Sequence, residues 1–229
     1  MHIPDGFLEA GTWAPAWLLS IGGIRYSLKK TAPSLQDRMI PLMGVMSAFI
    51  FAAQMVNFPV MGGTSGHLLG GVLAAVLLGP YAGAIVLTCV LIVQCFIFQD
   101  GGLTTLGANI LNMALAGTMG GYLVYKTVGG ISCRSRAILT GTAIASWFSV
   151  MLASGFCAVE LALSGTSPLA VVLPAMLGIH AFIGVGEAAI TTLIIGFILK
   201  VRPDLLYGLS LVRTERPCPR TEPRETGPA

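Results

Sequence analysis

FPVMGGTSGHLLGGVLAAVLLG, residues 58–79, joins a glycine-rich loop to a short apolar segment, and it decides how the chain is built. The apolar part, residues 67–79, would reach only about 20 Å as a helix. A transmembrane helix needs about 20 residues to cross roughly 30 Å of hydrocarbon. Non-helical backbone is tolerated at that depth only where protein buries it or where it lines a cavity. We therefore expect the loop 58–66 to dip inward and complete a short span.

The composition is that of a membrane protein. Of the 229 residues, 55% are hydrophobic and only 10% are charged, whereas soluble domains carry about 25% charged residues. The 29 glycines fit this class, because small residues let membrane helices approach closely. The net charge of +3 reflects topology and indicates no nucleic-acid partner.

The placement of charge predicts the topology. All 13 Lys and Arg residues fall in alternate connections between apolar segments, and positive charge favours the cytoplasmic side. We expect an all-α polytopic membrane protein with seven transmembrane helices, an outside N-terminus and a cytoplasmic C-terminus. Residues 1–202 would form the membrane-embedded part, and residues 203–229 a disordered cytoplasmic tail. The apolar segments are 12–25, 40–58, 67–79, 81–98, 104–125, 137–158 and 169–199.

The N-terminus carries a metal-binding pattern. His2 follows Met1, so the α-amine, the His2 amide nitrogen and the His2 imidazole can close two fused chelate rings around one cation. Such a planar nitrogen set suits Ni(II) or Cu(II). The chelate requires a retained Met1 and no cleaved leader, and residues 1–11 lack the basic start and apolar run of a signal peptide. The alternative is a solvated histidine near a terminus.

His67 is the candidate for the fourth donor. It follows the loop 58–66, which would dip from the same membrane face as residues 1–11. We expect a helix to start at about His67, with Thr64 or Ser65 as its cap, and the imidazole to supply the fourth in-plane nitrogen. A hydrogen-bonded core histidine is the alternative. With ordinary pKa values for an amine and an imidazole, binding would release protons and weaken below about pH 6.

Nearby polar residues are candidates to hold these ligands in place, since ligating histidines usually have their other ring nitrogen hydrogen-bonded. Ordinary hydrogen bonding between helices is equally compatible with them. Asp5 would pin the inserted N-terminal segment or be solvated. The candidates are Asn57, Ser65, Asn109 and Asn112.

His180 and Glu187 lie seven residues apart in the last apolar segment, on one helix face. Ionisable residues at this depth are functional suspects. His180 lies about 15 Å along the helix from its outer start. We therefore expect an interhelical hydrogen bond for His180 and a paired or protonated structural role for Glu187, rather than direct ligation by either.

Four stretches together resemble the M-type substrate-binding (S) components of energy-coupling-factor (ECF) transporters for nickel and cobalt, the CbiM/NikM family. The resemblance covers about residues 1–200 and implies a six-helix core plus one extra N-terminal helix. It also implies metal held by the Met1 amine, by His2 through its amide and ring, and by His67. Cobalt members more often read MHIMEGFL, so Pro4 and Asp5 favour nickel. The stretches are MHIPDGFL (1–8), NFPVMGGTSGHLLGG (57–71), FQDGGLTTLGANILNMA (98–114) and HAFIGVGEAAIT (180–191).

The resemblance implies high-affinity capture of Ni(II), or Co(II), at the outer face of a prokaryotic cell (inner) membrane. The metal would be a transported substrate, with no organic cofactor. The resemblance also implies a transport subunit that is not an enzyme and has no ATPase of its own, and the sequence agrees in having no G-x-x-x-x-G-K-[ST] motif. Energy would come from a pair of cytoplasmic ATPases through a transmembrane coupling subunit, with a small accessory membrane subunit. Ala48 and Ala52 resemble the surface that docks on the coupling subunit, with internal close packing as the alternative.

Two other classes of membrane protein fit the sequence less well. A self-sufficient secondary transporter or channel for divalent metals would carry paired intramembrane carboxylates or repeated halves. The sequence predicts one intramembrane acid, Glu187, and no convincing repeat. An intramembrane metalloenzyme would carry an H-E-x-x-H helix or a carboxylate base beside the metal, and neither is present in the sequence.

Overall fold

The computed structural model describes residues 1–35, 37, 39–60, 64–129 and 135–207. The predicted tail from residue 208 onward, and Gly62 and Gly63 of the predicted loop, lie outside this part. The helices are α1 Ala10–Thr31, α2 Met39–Gln54, α3 Gly71–Leu78, α4 Pro80–Phe98, α5 Leu106–Asn109, α6 Gly121–Val128, α7 Ser135–Leu163 and α8 Leu169–Val201. Short 3-10 turns cover Ala32–Ser34 and Pro203–Leu205, and strands β1 Phe58–Pro59 and β2 Ser65–Gly66 pair antiparallel.

Helices α5 and α6 are the two ends of one continuous helix, because the π-helical segment Ile110–Gly120 joins them. The Thr118 hydroxyl donates to the carbonyl of Met113, five residues earlier, at 3.1 Å. Counting this continuous helix once, the described residues form seven helical segments of more than one turn, one for each predicted apolar segment.

The chain is a multi-pass membrane protein. Among the described residues, α4, α7 and α8 are long and apolar enough to cross a bilayer, with 19, 29 and 33 residues. Large apolar side chains face outward on α8, as a lipid-facing helix requires; Phe182 is 82% exposed and Leu193 74%. The count of seven spans and the orientation of the termini stay predictions.

The third helix begins later than the sequence predicted. It starts at Gly71 rather than near His67, and its N-cap is Gly70 rather than Thr64 or Ser65. Gly70 has φ +76°, a left-handed backbone conformation, so the helix does not extend further toward the N-terminus. All eight residues of α3 are buried. The helix is only about 12 Å long. The non-helical residues 64–70 continue the path of the chain beyond its N-terminal end.

Neighbouring helices approach α3 through glycine. A Cβ on Gly83 of α4 would lie 3.0 Å from the Ala75 nitrogen, and one on Gly121 of α6 would lie 2.5 Å from a Val72 methyl. Small residues therefore let α4 and α6 close around the central helix. By contrast, Ala48 and Ala52 of α2 are exposed. Close packing within the described part of the chain, the alternative explanation for these two small residues, is therefore not what they do.

Candidate metal site

Residues 64–70, the described part of the chain around His67, are buried or half-buried, and several of their backbone groups have partners. The Val60 amide donates to the Thr64 carbonyl at 2.8 Å. The Gln54 side chain donates to the Leu69 carbonyl at 2.8 Å. Glu187 of α8 accepts from the amides of Leu69 and Gly70. Paired backbone is the condition for a non-helical stretch in an apolar interior, and it brings His67 to 1% exposure.

The N-terminal segment is inserted in the same way. Met1, His2 and Ile3 are buried. The Ile3 amide donates to Asn109 Oδ1 at 2.9 Å, and the Ile3 carbonyl accepts from the Gly102 amide at 2.9 Å. The helix that contains Asn109 and the turn that precedes it therefore hold the start of the chain inside the protein.

Asp5 pins this segment, which decides between the two alternatives for that residue. Its carboxylate accepts from the Leu103 amide at 2.9 Å and from the Thr104 amide at 2.8 Å. The Thr104 hydroxyl also donates to it. These hydrogen bonds, chiefly the one from the Thr104 side chain, lower the pKa of the Asp5 carboxyl below its ordinary value. The charged carboxylate of Asp5 therefore stays at the exposed edge of the site, while residues 1–3 are buried.

The two insertions meet at Ser65. The Met1 amine donates to the Ser65 carbonyl, and to the Ser65 hydroxyl at 3.0 Å. The His2 amide donates to the same hydroxyl at 3.2 Å. The imidazoles of His2 and His67 stack, with their centroids 4.5 Å apart and their planes 29° apart. The structure thus brings Met1, His2 and His67 together.

Hydrogen bonds orient both histidine rings. His67 Nδ1 lies 2.8 Å from the Leu68 carbonyl oxygen, which only accepts, so Nδ1 donates and the buried Nε2 keeps its lone pair without a hydrogen-bond partner. His2 has an acceptor beside each ring nitrogen: Gln94 Oε1 lies 3.1 Å from Nε2, and Asp100 Oδ1 lies 3.4 Å from Nδ1. Proton donation from Nε2 to Gln94 leaves the Nδ1 lone pair for a cation beside the Asp100 carboxylate. Nδ1 is the His2 nitrogen that can close a chelate ring with its own amide.

Burial also leaves the donors uncharged. It lowers the pKa of the Met1 amine from 8.0 to about 5 and the pKa of His2 from 6.5 to about 3. Both groups are therefore neutral at pH 7, the form that donates a lone pair to a metal. The nearest carboxylate to His2 is Asp100, whose Oδ1 lies 3.4 Å from His2 Nδ1.

Three of the four residues predicted to support the ligands lie at the site. Ser65 contacts Met1 and His2, and Asn109 holds Ile3. Asn57 donates to Asp100 Oδ2 at 3.0 Å, and so reaches His2 through that carboxylate. Asn112 does not contact these ligands. Its side-chain amide donates to Glu160 of α7 at 2.5 Å.

Two expectations for acidic and histidine residues need correction. His180 Nδ1 donates to the Met176 carbonyl of its own helix at 2.7 Å, and its Nε2 has no hydrogen-bond partner among the described residues, so the predicted interhelical bond is wrong. Glu160 is a second buried carboxylate, because α7 continues to Leu163 beyond the predicted end at 158. The prediction of a single intramembrane acid is therefore wrong. Glu187 is paired, as predicted, with backbone amides.

Gln94 and Asp100 were missed by sequence reasoning, although both contact the His2 ring. Gln94 is an uncharged polar residue in an otherwise apolar helix, and Asp100 lies in the turn that follows. The sequence feature that could have identified Gln94 is its position as a polar residue inside the apolar helix α4.

The donor set mixes side chains and main chain. Within the part of the chain that the structure describes, no group of three or more His, Cys, Asp or Glu side chains is placed to hold a metal ion. A cation at this position would instead meet the Met1 amine, the His2 amide and two imidazoles. Nitrogen donors of this kind suit nickel, copper and cobalt, and not magnesium or calcium.

Comparison with known proteins gives a consistent result. Residues 2–205 match the CbiM family, described as the cobalt uptake substrate-specific transmembrane region. The fused nickel transport protein NikMN of Archaeoglobus fulgidus is 40% identical over 208 residues, covering 90% of this chain and 68% of that protein. NikMN of Rhodobacter capsulatus is 35% identical over 223 residues, covering 90% and 64%. A crystal structure of a transition metal transporter superposes with a TM-score of 0.82 at 32% identity, covering 94% of this chain and 100% of that one.

Proposed function

The chain belongs to the CbiM family, whose members transport nickel and cobalt, and from that premise we propose that it captures Ni(II) at the outer face of the membrane with high affinity. Co(II) is the alternative substrate. The metal would be held by the Met1 amine, the His2 amide and Nδ1, and His67 Nε2.

The arrangement of the two imidazoles is the observation that carries this proposal. His67 Nδ1 donates to the Leu68 carbonyl, and its Nε2 keeps a buried lone pair without a hydrogen-bond partner. His2 Nε2 faces Gln94 Oε1, and its Nδ1 lies 3.4 Å from the Asp100 carboxylate. An unpaired buried acceptor costs free energy, on the order of 1–3 kcal/mol, and a bound cation would pair both nitrogens and offset the charge of Asp100. The His2 amide proton, which is hydrogen-bonded to the Ser65 hydroxyl at 3.2 Å in the metal-free protein, would be released to solvent on binding.

Energy for transport would come from other subunits. We propose a transmembrane coupling subunit, a pair of cytoplasmic ATPases and a small accessory membrane subunit, as in ECF importers. The exposed Ala48 and Ala52 of α2 are the proposed contact with the coupling subunit, since small residues permit close helix approach.

A self-sufficient secondary transporter remains the second candidate, and the buried carboxylates Glu160 and Glu187 are the observation in its favour. Their partners argue against a proton relay between them. Glu160 accepts from the Asn112 side chain, and Glu187 accepts from two backbone amides. Metal uptake by cells that express this chain, with and without ATPase and coupling subunits, separates the two functions.

Lengthening the N-terminus by one residue tests the site directly, because it moves the α-amine. One methionine added before Met1, confirmed by intact mass, would displace the amine from Ser65 and break the chelate. We expect Ni(II) affinity, measured by calorimetry on the purified protein, to fall at least about 100-fold, as the loss of one metal ligand implies. One methionine added after Ala229 is the control. Unchanged affinity for the N-terminal variant would contradict the proposed site.

A further inference from the structure

Glu187 makes a contact that the proposed site does not explain. Its side chain lies on α8 and is 2% exposed. One carboxylate oxygen accepts from the Gly70 amide at 2.9 Å, and the other accepts from the Leu69 amide. Two consecutive backbone amides are thus held by one carboxylate, directly after His67 in the chain.

A single peptide unit links this carboxylate to the His67 ring. The peptide between Leu68 and Leu69 donates its N–H to Glu187 and accepts His67 Nδ1–H on its carbonyl oxygen at 2.8 Å. Because the peptide is trans, its N–H and C=O point in opposite directions. Glu187 at one end therefore aims the carbonyl at the ring at the other end.

The next peptide unit is held from two helices. Its carbonyl, from Leu69, accepts from Gln54 of α2 at 2.8 Å, and its N–H, from Gly70, donates to Glu187 of α8. Rotation of either peptide would break a buried hydrogen bond and leave its polar group unpaired, which is unfavourable in an apolar interior.

Packing alone does not hold the loop in this place. An apolar cavity of about 280 Å³ lies beside it, between α2 and α8, and Leu68, Gly70 and Glu187 line it together with Phe49, Ile50 and Ile190. Residues 68–70 would have room to shift into that space if the hydrogen bonds were removed.

We propose that Glu187 is a positioning residue of the metal site: through the Leu68–Leu69 peptide it fixes the His67 ring so that Nε2 faces the bound Ni(II) or Co(II). The inference rests on the proposed function. Metal-ligating histidines are commonly oriented by a carboxylate on the other ring nitrogen. Here one peptide unit stands between the carboxylate and the ring.

Glu187→Gln tests the proposal, with Glu160→Gln as the matched control. Both are buried glutamates on long helices, but Glu160 bonds the Asn112 side chain and not the metal loop. Glutamine keeps the size and presents an NH2 group to one of the two amides. We expect Ni(II) affinity by calorimetry to fall about 10-fold or more for Glu187→Gln. The visible absorption of bound Ni(II) should also change, while Glu160→Gln stays within about 3-fold of the unmodified protein.

Hydrogen exchange of the metal-free protein provides a readout that is independent of metal binding. Amides of residues 69 and 70 should exchange faster in Glu187→Gln than in the unmodified protein, with no such change in Glu160→Gln. Wild-type affinity and spectrum in folded Glu187→Gln would overturn the positioning role, and so would an equal loss in both variants. Failure of the unmodified protein to bind Ni(II) or Co(II) would overturn the proposed function itself.

Discussion

His2 and His67 stack with their ring centroids 4.5 Å apart, although 65 positions separate them in the sequence. Gln94 Oε1 lies against His2 Nε2, and the Asp100 carboxylate lies 3.4 Å from His2 Nδ1. The Leu68 carbonyl lies against His67 Nδ1, and His67 Nε2 is buried without a hydrogen-bond partner. The ring orientations are therefore set by Gln94 and by the Leu68 carbonyl in the metal-free protein. A site that is ordered in advance loses less conformational entropy when it binds its ligand.

Replacement of Gln94 should show how much that ordering contributes. Gln94→Leu removes the oxygen that accepts from His2 Nε2, so the ring can rotate or adopt the other tautomer. We expect Ni(II) affinity to fall about 10- to 100-fold, the usual effect of losing a hydrogen bond to a metal ligand. Gln94→Glu keeps an acceptor and should remain within about 10-fold of the unmodified protein. Calorimetry on both variants checks this, and equal losses in both would contradict it.

Asp5 offers a test of the pinned N-terminal segment away from the metal donors. Asp5→Ala removes acceptors for the Leu103 and Thr104 amides and for the Thr104 hydroxyl. The segment should then leave its site more often, and we expect Ni(II) affinity to fall about 10-fold, since three hydrogen bonds of roughly 1 kcal/mol each are lost and water replaces part of them at this exposed residue.

Glu9→Ala is the matched control for Asp5. It removes a carboxylate from the same segment, but the Glu9 side chain is exposed and does not cap α1. Affinity should change less than about 2-fold. If Asp5→Ala also left the Ni(II) affinity unchanged, the hydrogen bonds of Asp5 to Leu103 and Thr104 would not be what holds the N-terminal segment in place.

The meeting of Met1, His2 and His67 could be predicted from the sequence because the two insertions were expected from the same face. The start of α3 could not be predicted, because it depends on the left-handed backbone of Gly70 and on Glu187, which is 117 residues away. Local sequence made Ser65 look like a helix cap, whereas in the folded chain it contacts the N-terminus.

The other differences have the same origin. Asn112 was grouped with Asn109 because of its spacing, but the π-helical segment and α7 place it against Glu160. Gln94 was missed because periodicity marks α4 as apolar and does not reveal which neighbour a single polar side chain meets. Long-range contacts of this kind need the fold.

The pH dependence of binding should differ from the expectation based on ordinary pKa values. Burial lowers the pKa of the Met1 amine to about 5 and that of His2 to about 3. Both are then unprotonated above pH 5, and the His2 amide supplies the one proton released between pH 6 and 8. The logarithm of the Ni(II) association constant should rise by about one per pH unit in that range, and by about two below pH 5.

Calorimetry in buffers of different ionisation enthalpy counts these protons. A release of two or more at pH 6.5 would show that the amine has its ordinary pKa. The same shift predicts how stability changes. The unfolded chain binds a proton at the amine between pH 5 and 8 and the folded chain does not, so the stability of the inserted segment rises with pH across that window and falls as the pH is lowered.

Gly102 tests how closely the N-terminal segment must approach the turn that holds it. A Cβ at residue 102 would lie 2.3 Å from the Asp5 nitrogen and 2.4 Å from its carboxylate oxygen. The nitrogen belongs to the backbone, so Gly102→Ala cannot be accommodated by rotation of a side chain, and residues 3–5 must move. Because the Gly102 amide also donates to the Ile3 carbonyl, we expect Ni(II) affinity to fall at least about 10-fold.

Gly11→Ala is the control for that clash. No atom lies within 4 Å of a Cβ at residue 11, which belongs to α1. Alanine is a better helix former than glycine by roughly 1 kcal/mol, so this variant should keep its Ni(II) affinity and unfold at the same or a higher temperature. Wild-type affinity in Gly102→Ala, measured beside it, would mean that metal binding tolerates displacement of residues 3–5, and the inserted N-terminus would then not be the source of the ligands.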